Sequence, residues 1–204
     1  MHQYKGKLII HTGSMFSGKT SSLEKDMKRF VIAGYTTLAF KPTVDTRYDS
    51  NEIKTHDNTI LQAKLIDGIE DIVKYIEEET PSVIAIDEVQ FLGGSIEKIV
   101  GSIKEFLKDD ITVILAGLDM DFEGEPFEIV KELMPFADYL YKHHAVCVSC
   151  GTDAWVSHRK ISTKERVVIG ATREYEPLCR RCFIKEKEIE EDILNKNQVE
   201  FDVK

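Results

Sequence analysis

The sequence predicts an α/β fold in which a mostly parallel sheet carries helices on both faces. Four short apolar runs are typical of strands buried on both faces, as in parallel sheets. Three helix-like patterns alternate with them, which places helices on both sides of the sheet. The apolar runs are residues 8–10, 37–40, 83–86 and 111–116, and the helical patterns are residues 20–33, 69–79 and 95–108.

The remaining segments predict how the chain is divided. Residues 42–62 are polar and too long for an ordinary turn, so we expect a functional or mobile loop. From about Tyr139, short β-like pieces between two cysteine pairs predict a second, small domain. We therefore expect a large α/β domain at 1–140, a small domain with the cysteine pairs at 141–190 that ends in a charged helix, and a flexible tail at 191–204.

Composition limits the classes of function. The chain has 204 residues, 42% of them hydrophobic, which is enough for a substantial core and excludes a disordered protein. A formal net charge of −9 argues against extended contact with nucleic acid. The sequence shows neither an apolar stretch of membrane-spanning length nor the pattern of a secretory signal. We expect a cytoplasmic protein without nucleic-acid or membrane partners.

A phosphate-binding loop follows the first predicted strand. Gly13, Gly18, Lys19 and Thr20 fit G-x-x-x-x-G-K-[ST], whose backbone N–H groups and helix N-terminus bind phosphates. Lys19 is expected to reach the β and γ phosphates of a nucleoside triphosphate, and Thr20 to offer its hydroxyl to Mg²⁺. The predicted phosphate-binding residues of the loop are Gly13, Ser14, Met15, Phe16, Ser17, Gly18, Lys19 and Thr20.

Two carboxylates follow the buried run at residues 83–86. Asp87 stands where that strand should emerge at its carboxyl end, the edge where open α/β sheets bind ligands, and is the candidate second group for Mg²⁺. Glu88 comes next and is the candidate base. It could orient a water molecule, as in an NTPase, or a substrate hydroxyl, as in a kinase, and this part of the sequence does not separate the two.

All four cysteines fall into two C-x₂-C pairs, Cys147 with Cys150 and Cys179 with Cys182. Four thiolates at this spacing favour a structural Zn²⁺ site over disulfides or a redox pair. Such a site would hold the two ends of the intervening segment together.

Taken together, these motifs resemble the cellular-type, zinc-containing thymidine kinases. The resemblance runs from about residue 7 to 182 and rests on ordered motifs: GSMFSGKT, DTRY, THD, IDEVQF, LAGLDMDFEGEPF, CVSC and VVIGATREYEPLCRRC. It implies a P-loop, RecA-like sheet with a small zinc-ribbon-like domain that carries a lasso loop. It further implies transfer of the γ-phosphate of ATP to the 5′-hydroxyl of thymidine, and also of deoxyuridine.

The resemblance also assigns roles to residues near the phosphates. It implies that Glu88 is the base for the 5′-hydroxyl, that Arg47 lies near the transferring phosphate, and that Asp45 lies near the sugar. It places Gln90 among the nucleotide-binding residues.

For the nucleoside, the resemblance implies an aromatic pocket closed by the lasso loop, whose main chain reads the base. The pocket and lasso residues are Met15, Asp45, Phe91, Leu118, Phe122, Phe127, Ser157, Val167, Val168, Ile169, Gly170, Ala171 and Tyr175. The chain departs from the family at Ser14, where Pro is usual, and at Val156 and Ser157, where a Phe-Thr pair is common. Because Ser157 lacks one methyl group, the preference between thymidine and deoxyuridine stays open.

The resemblance implies two further properties: a homotetramer and feedback inhibition by thymidine triphosphate. The alternative interpretation is a P-loop ATPase whose zinc domain binds a protein partner. That protein would hydrolyse ATP without a nucleoside.

Overall fold

Helices and strands alternate along the chain in the computed structural model, which describes residues 4–43, 52–54, 60–160 and 174–190. The strands are β1 (Leu8–Gly13), β2 (Thr37–Pro42), β3 (Glu52–Lys54), β4 (Ile60–Gln62), β5 (Lys64–Ile66), β6 (Val83–Ile86), β7 (Thr112–Gly117), β8 (Tyr139–His143), β9 (Val156–Arg159) and β10 (Tyr175–Leu178). The helices are α1 (Lys19–Ile32), α2 (Ile69–Glu79), α3 (Ile96–Lys108), α4 (Glu128–Leu133) and α5, which occupies residues 180–190.

Six strands form one parallel sheet in the order β5-β2-β6-β7-β1-β8. Every residue of β1, β6 and β7 is buried, as the continuous apolar runs predict. Because all six strands point the same way, the residues that follow them collect at one edge. The phosphate loop, Asp87 and Leu118 follow β1, β6 and β7 at that edge.

The core lies in two layers, one on each face of the sheet. Alternate residues of β1 face opposite sides, so that Leu8 and Ile10 pack with α2, α3 and α4, whereas Ile9 packs with α1. Leu23 and Met27 of α1 are fully buried in the second layer. The predicted α/β fold with helices on both faces is confirmed.

The bounds of several elements differ from the prediction. Residues 42–62 are not a plain loop, since β3 and β4 pair antiparallel within them, and β5 follows and joins the edge of the sheet beside β2. Three-residue strands are too short to show a period. The edge strand β8 was also missed as part of the main sheet, because most of its side chains are exposed. It crosses the domain boundary predicted at residue 140.

The small unit that follows contains β9, β10 and α5. The two strands pair antiparallel, and the backbone N–H of Lys160 donates to Glu174 O at 2.8 Å where the ladder ends. Trp155 packs against Phe183 with ring centroids 5.7 Å apart. Within the described ranges, none of the helices is both long enough and apolar enough to cross a membrane.

Asp138 joins the start of β8 to the start of β1. Its carboxylate accepts hydrogen bonds from the backbone N–H of Leu8 at 3.0 Å and from Lys7 Nζ at 2.8 Å. Partial burial acts to raise the pKa of Asp138, but these bonds outweigh it and hold the pKa below its ordinary value.

Replacing Asp138 by Ala is expected to lower the free energy of unfolding by about 1–2 kcal/mol at neutral pH, because Leu8 loses its charged acceptor. A depressed folded-state pKa stabilises the fold above the ordinary carboxyl pKa, and that contribution is lost as pH falls through the folded-state pKa. Urea unfolding between about pH 7 and pH 3 should show the gap between wild type and variant narrowing toward acid. Lys7→Ala, which spares the Leu8 bond, should cost less, and an equal cost would contradict this account.

Candidate active site and metal centre

The phosphate loop joins β1 to α1 and leaves the first turn of α1 open to a ligand. Gly18 caps the helix with a left-handed φ of 84° and makes no side-chain cap, and no acidic residue lies in the first turn. The N–H groups of this turn therefore lack a capping side chain, as suits phosphate binding. Gly13 has a φ of 133°, and a Cβ there would lie 2.1 Å from His143 O. Only glycine fits this close approach of β1 to β8.

Lys19 lies folded back onto the loop. It is only 8% exposed, and its Nζ donates to Ser14 O at 2.9 Å. Ser17 Oγ donates to the same carbonyl at 2.7 Å. The buried ammonium group is thus held inside the loop, where an anionic ligand would meet it.

Thr20 and Asp87 meet across the sheet edge as expected for a magnesium site. Thr20 Oγ1 lies 3.2 Å from Asp87 Oδ1 and 3.3 Å from Oδ2. A hydroxyl and a carboxylate are oxygen donors of the kind that Mg²⁺ takes from proteins, alongside water and phosphate oxygens. The residues present therefore fit the ion.

Asp87 is buried at 5% exposure among charged neighbours. Burial raises the pKa of Asp87 to about 7, repulsion from Glu88 acts in the same direction, and Lys41 and Lys19 oppose the rise. Lys41, at the end of β2, is itself 5% exposed. This buried cation was not predicted, although a lysine directly after the apolar run 37–40 is a usable signal.

Glu88 stands next to Asp87 with a left-handed backbone, φ 51° and ψ 43°, just before a 3-10 helix at Val89–Phe91. This turn carries the chain away from β6, so the two neighbouring carboxylates need not point to opposite faces as they would within a strand. Gln90 Nε2 donates to Glu88 Oε2 at 2.5 Å, and Gln90 Oε1 accepts from the N–H of Leu118 at 3.0 Å. The base candidate is therefore tied to the end of β7.

Several of the predicted nucleoside residues lie in contact with one another or with neighbours. The rings of Phe91 and Phe127 pack edge to face with centroids 6.3 Å apart. The guanidinium of Arg159 lies 3.4 Å from the ring centroid of Phe122, which fixes that ring from one side. Arg159 was not predicted, although it lies two residues after Ser157 in β9 and so faces the same side.

The phosphate loop also touches the small unit. The backbone N–H of Met15 donates to Ser157 Oγ at 2.8 Å, and Ser157 is buried at 3% exposure. Tyr175, in β10, is buried and pairs with Arg159. The other predicted positions, Asp45, Arg47, Val167, Val168, Ile169, Gly170 and Ala171, lie outside the described residues.

The four cysteines converge at the base of the small unit. Their Sγ atoms all lie within 4.8 Å of one another, and Cys150 and Cys179 are 3.5 Å apart. Sulfurs around a tetrahedral Zn²⁺ stand about 3.8 Å apart, so the cluster fits the ion. Hydrogen bonds with Thr152 lower the pKa of the Cys150 thiol to about 6. At Cys182 a hydrogen bond with Ser149 lowers the pKa, but hydrogen bonds with the neighbouring thiols outweigh it and raise the pKa of the Cys182 thiol to about 11.

Known proteins are similar to this chain over most of its length. A family model described as thymidine kinase matches residues 6–183. The thymidine kinase of Bacteroides thetaiotaomicron is 39% identical over 181 residues, 89% of this chain and 88% of that protein. Those of Porphyromonas gingivalis and a Rhodothermus species are each 38% identical, over 89% and 87% of this chain and 86% and 81% of their own lengths. The matched residues include the phosphate loop, both carboxylates and all four cysteines.

Proposed function

The chain belongs to the thymidine kinase family, and on that premise we propose that it transfers the γ-phosphate of ATP to the 5′-hydroxyl of thymidine or deoxyuridine. The observation that carries the proposal is the position of Glu88. It stands beside Asp87 at the phosphate edge, and Gln90 connects it to Leu118. A general base at the phosphate edge that is linked to Leu118, a predicted nucleoside residue, suits a hydroxyl acceptor better than it suits bulk water.

The donor side binds and neutralises the phosphates. The open N-terminus of α1 and the ammonium of Lys19 bind the β and γ phosphates, and Lys19 exchanges its bond to Ser14 O for one to phosphate. Thr20 and Asp87 are the residues that would hold Mg²⁺, which spreads the charge that develops on the phosphate oxygens. Arg47 is proposed from the resemblance to add positive charge near the transferring phosphate.

On the acceptor side, the residues hold the nucleoside and remove its proton. Phe91, Phe127 and Phe122 supply flat apolar faces for the pyrimidine. Glu88 accepts the proton of the 5′-hydroxyl as the oxygen attacks the γ-phosphorus, and ADP leaves. Because phosphoryl transfer depends on alignment, the Met15 to Ser157 hydrogen bond matters: it joins the donor loop to the nucleoside side.

From the resemblance, the proposal also includes a lasso at residues 167–175, a structural zinc ion, a homotetramer and inhibition by thymidine triphosphate. The exposed side chains of Tyr139, Leu140 and Tyr141 on the edge strand β8 support an association surface there.

Release of ADP is expected to require a nucleoside. A coupled ADP assay with thymidine, deoxyuridine, deoxycytidine or no nucleoside should show turnover with the first two only. Ser157 has one methyl group fewer than the Thr that is common in the family at this position, so the pocket has less contact with the 5-methyl group of thymine. Thymidine and deoxyuridine should therefore differ by about tenfold or less in kcat/KM. Strong turnover without nucleoside would favour the alternative, an ATPase with a partner-binding zinc domain, and would overturn the proposal.

A further inference from the structure

We propose that Gln90 is a positioning residue, whose side-chain amide holds the Glu88 carboxylate in place relative to the nucleoside pocket. The inference rests on the proposed function, because it concerns the same base. It departs from the nucleotide-binding role that the resemblance implies for Gln90. Among the described contacts, the Gln90 side chain bonds to Glu88 and to Leu118.

The orientation of the Gln90 amide follows from the chemistry of its partners. The backbone N–H of Leu118 can only donate, so the group that faces it at 3.0 Å must be the carbonyl oxygen, Oε1. The NH₂ group then faces Glu88 Oε2 at 2.5 Å, and an ionised carboxylate can only accept. Turning the amide over would break both bonds, so only one orientation is compatible with both partners.

The surrounding fold leaves little room for the Gln90 side chain to move. Gln90 is 8% exposed. A Cβ at Gly117 would lie 2.7 Å from Gln90 Oε1 and 2.8 Å from Val89 Cγ1, so the last residue of β7 must be glycine for the amide to fit. The absence of a side chain at Gly117 thus leaves the space that the Gln90 amide occupies.

The backbone of Glu88 also needs support from outside. Its left-handed φ of 51° is unusual for a non-glycine residue and persists only where neighbours enforce it. The N–H of Phe91 donates to Glu88 O at 3.0 Å, which fixes the main chain. The Gln90 amide fixes the carboxylate at the end of the side chain.

Gln90 therefore connects the ends of two neighbouring strands. Glu88 follows β6, and Leu118, which follows β7, lies in the predicted nucleoside pocket. One amide contacts both, so its two hydrogen bonds help to hold the Glu88 carboxylate at a fixed distance from the predicted nucleoside pocket. A displacement of about 1 Å at such a position can cost a hundredfold in rate.

The test combines two substitutions of Gln90 with Glu88→Gln in a double-mutant cycle. Gln90→Leu removes both hydrogen bonds, and Gln90→Met removes them while keeping the length of the side chain and adding no charge. With Glu88 present, each is expected to lower kcat about 10- to 100-fold and to leave the dissociation constant of a non-hydrolysable ATP analogue within about twofold. In the Glu88→Gln background, each should lower kcat further by less than about threefold.

Three results would overturn the inference. The first is an equal loss of kcat in the wild-type and in the Glu88→Gln background, which would indicate a general effect on the fold. The second is weaker binding of the ATP analogue in step with the loss of kcat, which would return Gln90 to the nucleotide side. The third is near-normal kcat for Gln90→Met. If Gln90→Leu does not fold, Gln90→Met decides alone.

Controls separate this inference from the proposed function. Gln62→Leu makes the same chemical change at an exposed position in β4 and should leave kcat unaltered. Wild-type protein must release ADP only with nucleoside, and failure of that arm would refute the proposed function itself. Failure of the inference would appear only in the Gln90 cycle.

Discussion

Replacing Glu88 by Gln is expected to lower kcat by about 10²- to 10⁴-fold, the usual contribution of a general base. The substitution keeps the size of the side chain and one oxygen for Gln90, but removes the carboxylate that we propose accepts the proton of the 5′-hydroxyl. ATP should still bind, since the phosphate loop, Thr20 and Asp87 are untouched. The measurement is steady-state kinetics with thymidine, together with titration of an ATP analogue.

Two comparisons make the Glu88 result specific. Glu105→Gln changes the same group on the exposed face of α3 and should leave kcat within about twofold. Far-UV and near-UV circular dichroism of the Glu88 variant should match the wild type, because Glu88 is only half-buried. A variant with near-normal kcat would show that another group takes the proton.

The second large effect is expected at the cysteine cluster. Replacing Cys179 by Ser removes one of four thiolates, and zinc sites of this kind contribute on the order of 10 kcal/mol to folding. The small unit buries few apolar residues of its own, Ala145, Ala154, Val156, Leu178 and Phe183 among them. Without zinc it should unfold, while the sheet and its phosphate loop stay folded.

Trp155 makes this local unfolding measurable. It is the single tryptophan of the chain and packs between Phe183 and the guanidinium of Arg180. Its emission should shift to the red in Cys179→Ser and in wild type treated with a strong zinc chelator. Zinc content by mass spectrometry should fall from about one ion per chain to well below that.

The kinetic consequence follows from the contact between the small unit and the phosphate loop. Loss of the Ser157 acceptor frees the N–H of Met15 and removes one wall of the proposed nucleoside pocket. KM for thymidine should therefore rise far more than the dissociation constant of ATP. Val148→Ala, an exposed change between Cys147 and Cys150, should keep zinc and kinetics normal. A zinc-free Cys179→Ser protein with the same Trp155 emission and the same KM as the wild type would refute a structural role for the cluster.

The layered fold could be predicted because its signals are local. Buried runs such as residues 83–86 and a complete phosphate-loop pattern need no information from elsewhere in the chain. The position of Asp87 at the end of β6 follows from the same reasoning. Strand β8 was not predicted as part of the main sheet because its exposed side chains form no apolar pattern. Strand β5 was not predicted because three residues are too few to show a period.

It was harder to predict which residues of the candidate site contact one another than which residues belong to it. Gln90 meets Leu118 only because β6 and β7 are neighbours in the sheet, and strand order is not written in the local pattern. The resemblance placed Gln90 among the residues that bind ATP. Its described hydrogen bonds instead join it to Glu88, the candidate general base, and to Leu118. The stacking of Arg159 on Phe122 likewise depends on how the small unit packs against the sheet.

The strand order also affects how this chain can fold during synthesis. β1, which leads into the phosphate loop, pairs with β7 and β8, and Thr12 lies 105 residues before its partner Gly117. At about 5–20 residues per second, the ribosome needs on the order of 5–20 s to supply that partner. During this interval neither edge of β1 has its native strand beside it. β1 is made before both of its partners, so its two edges stay unpaired until β7 and β8 have emerged, and unpaired strand edges favour aggregation in that interval.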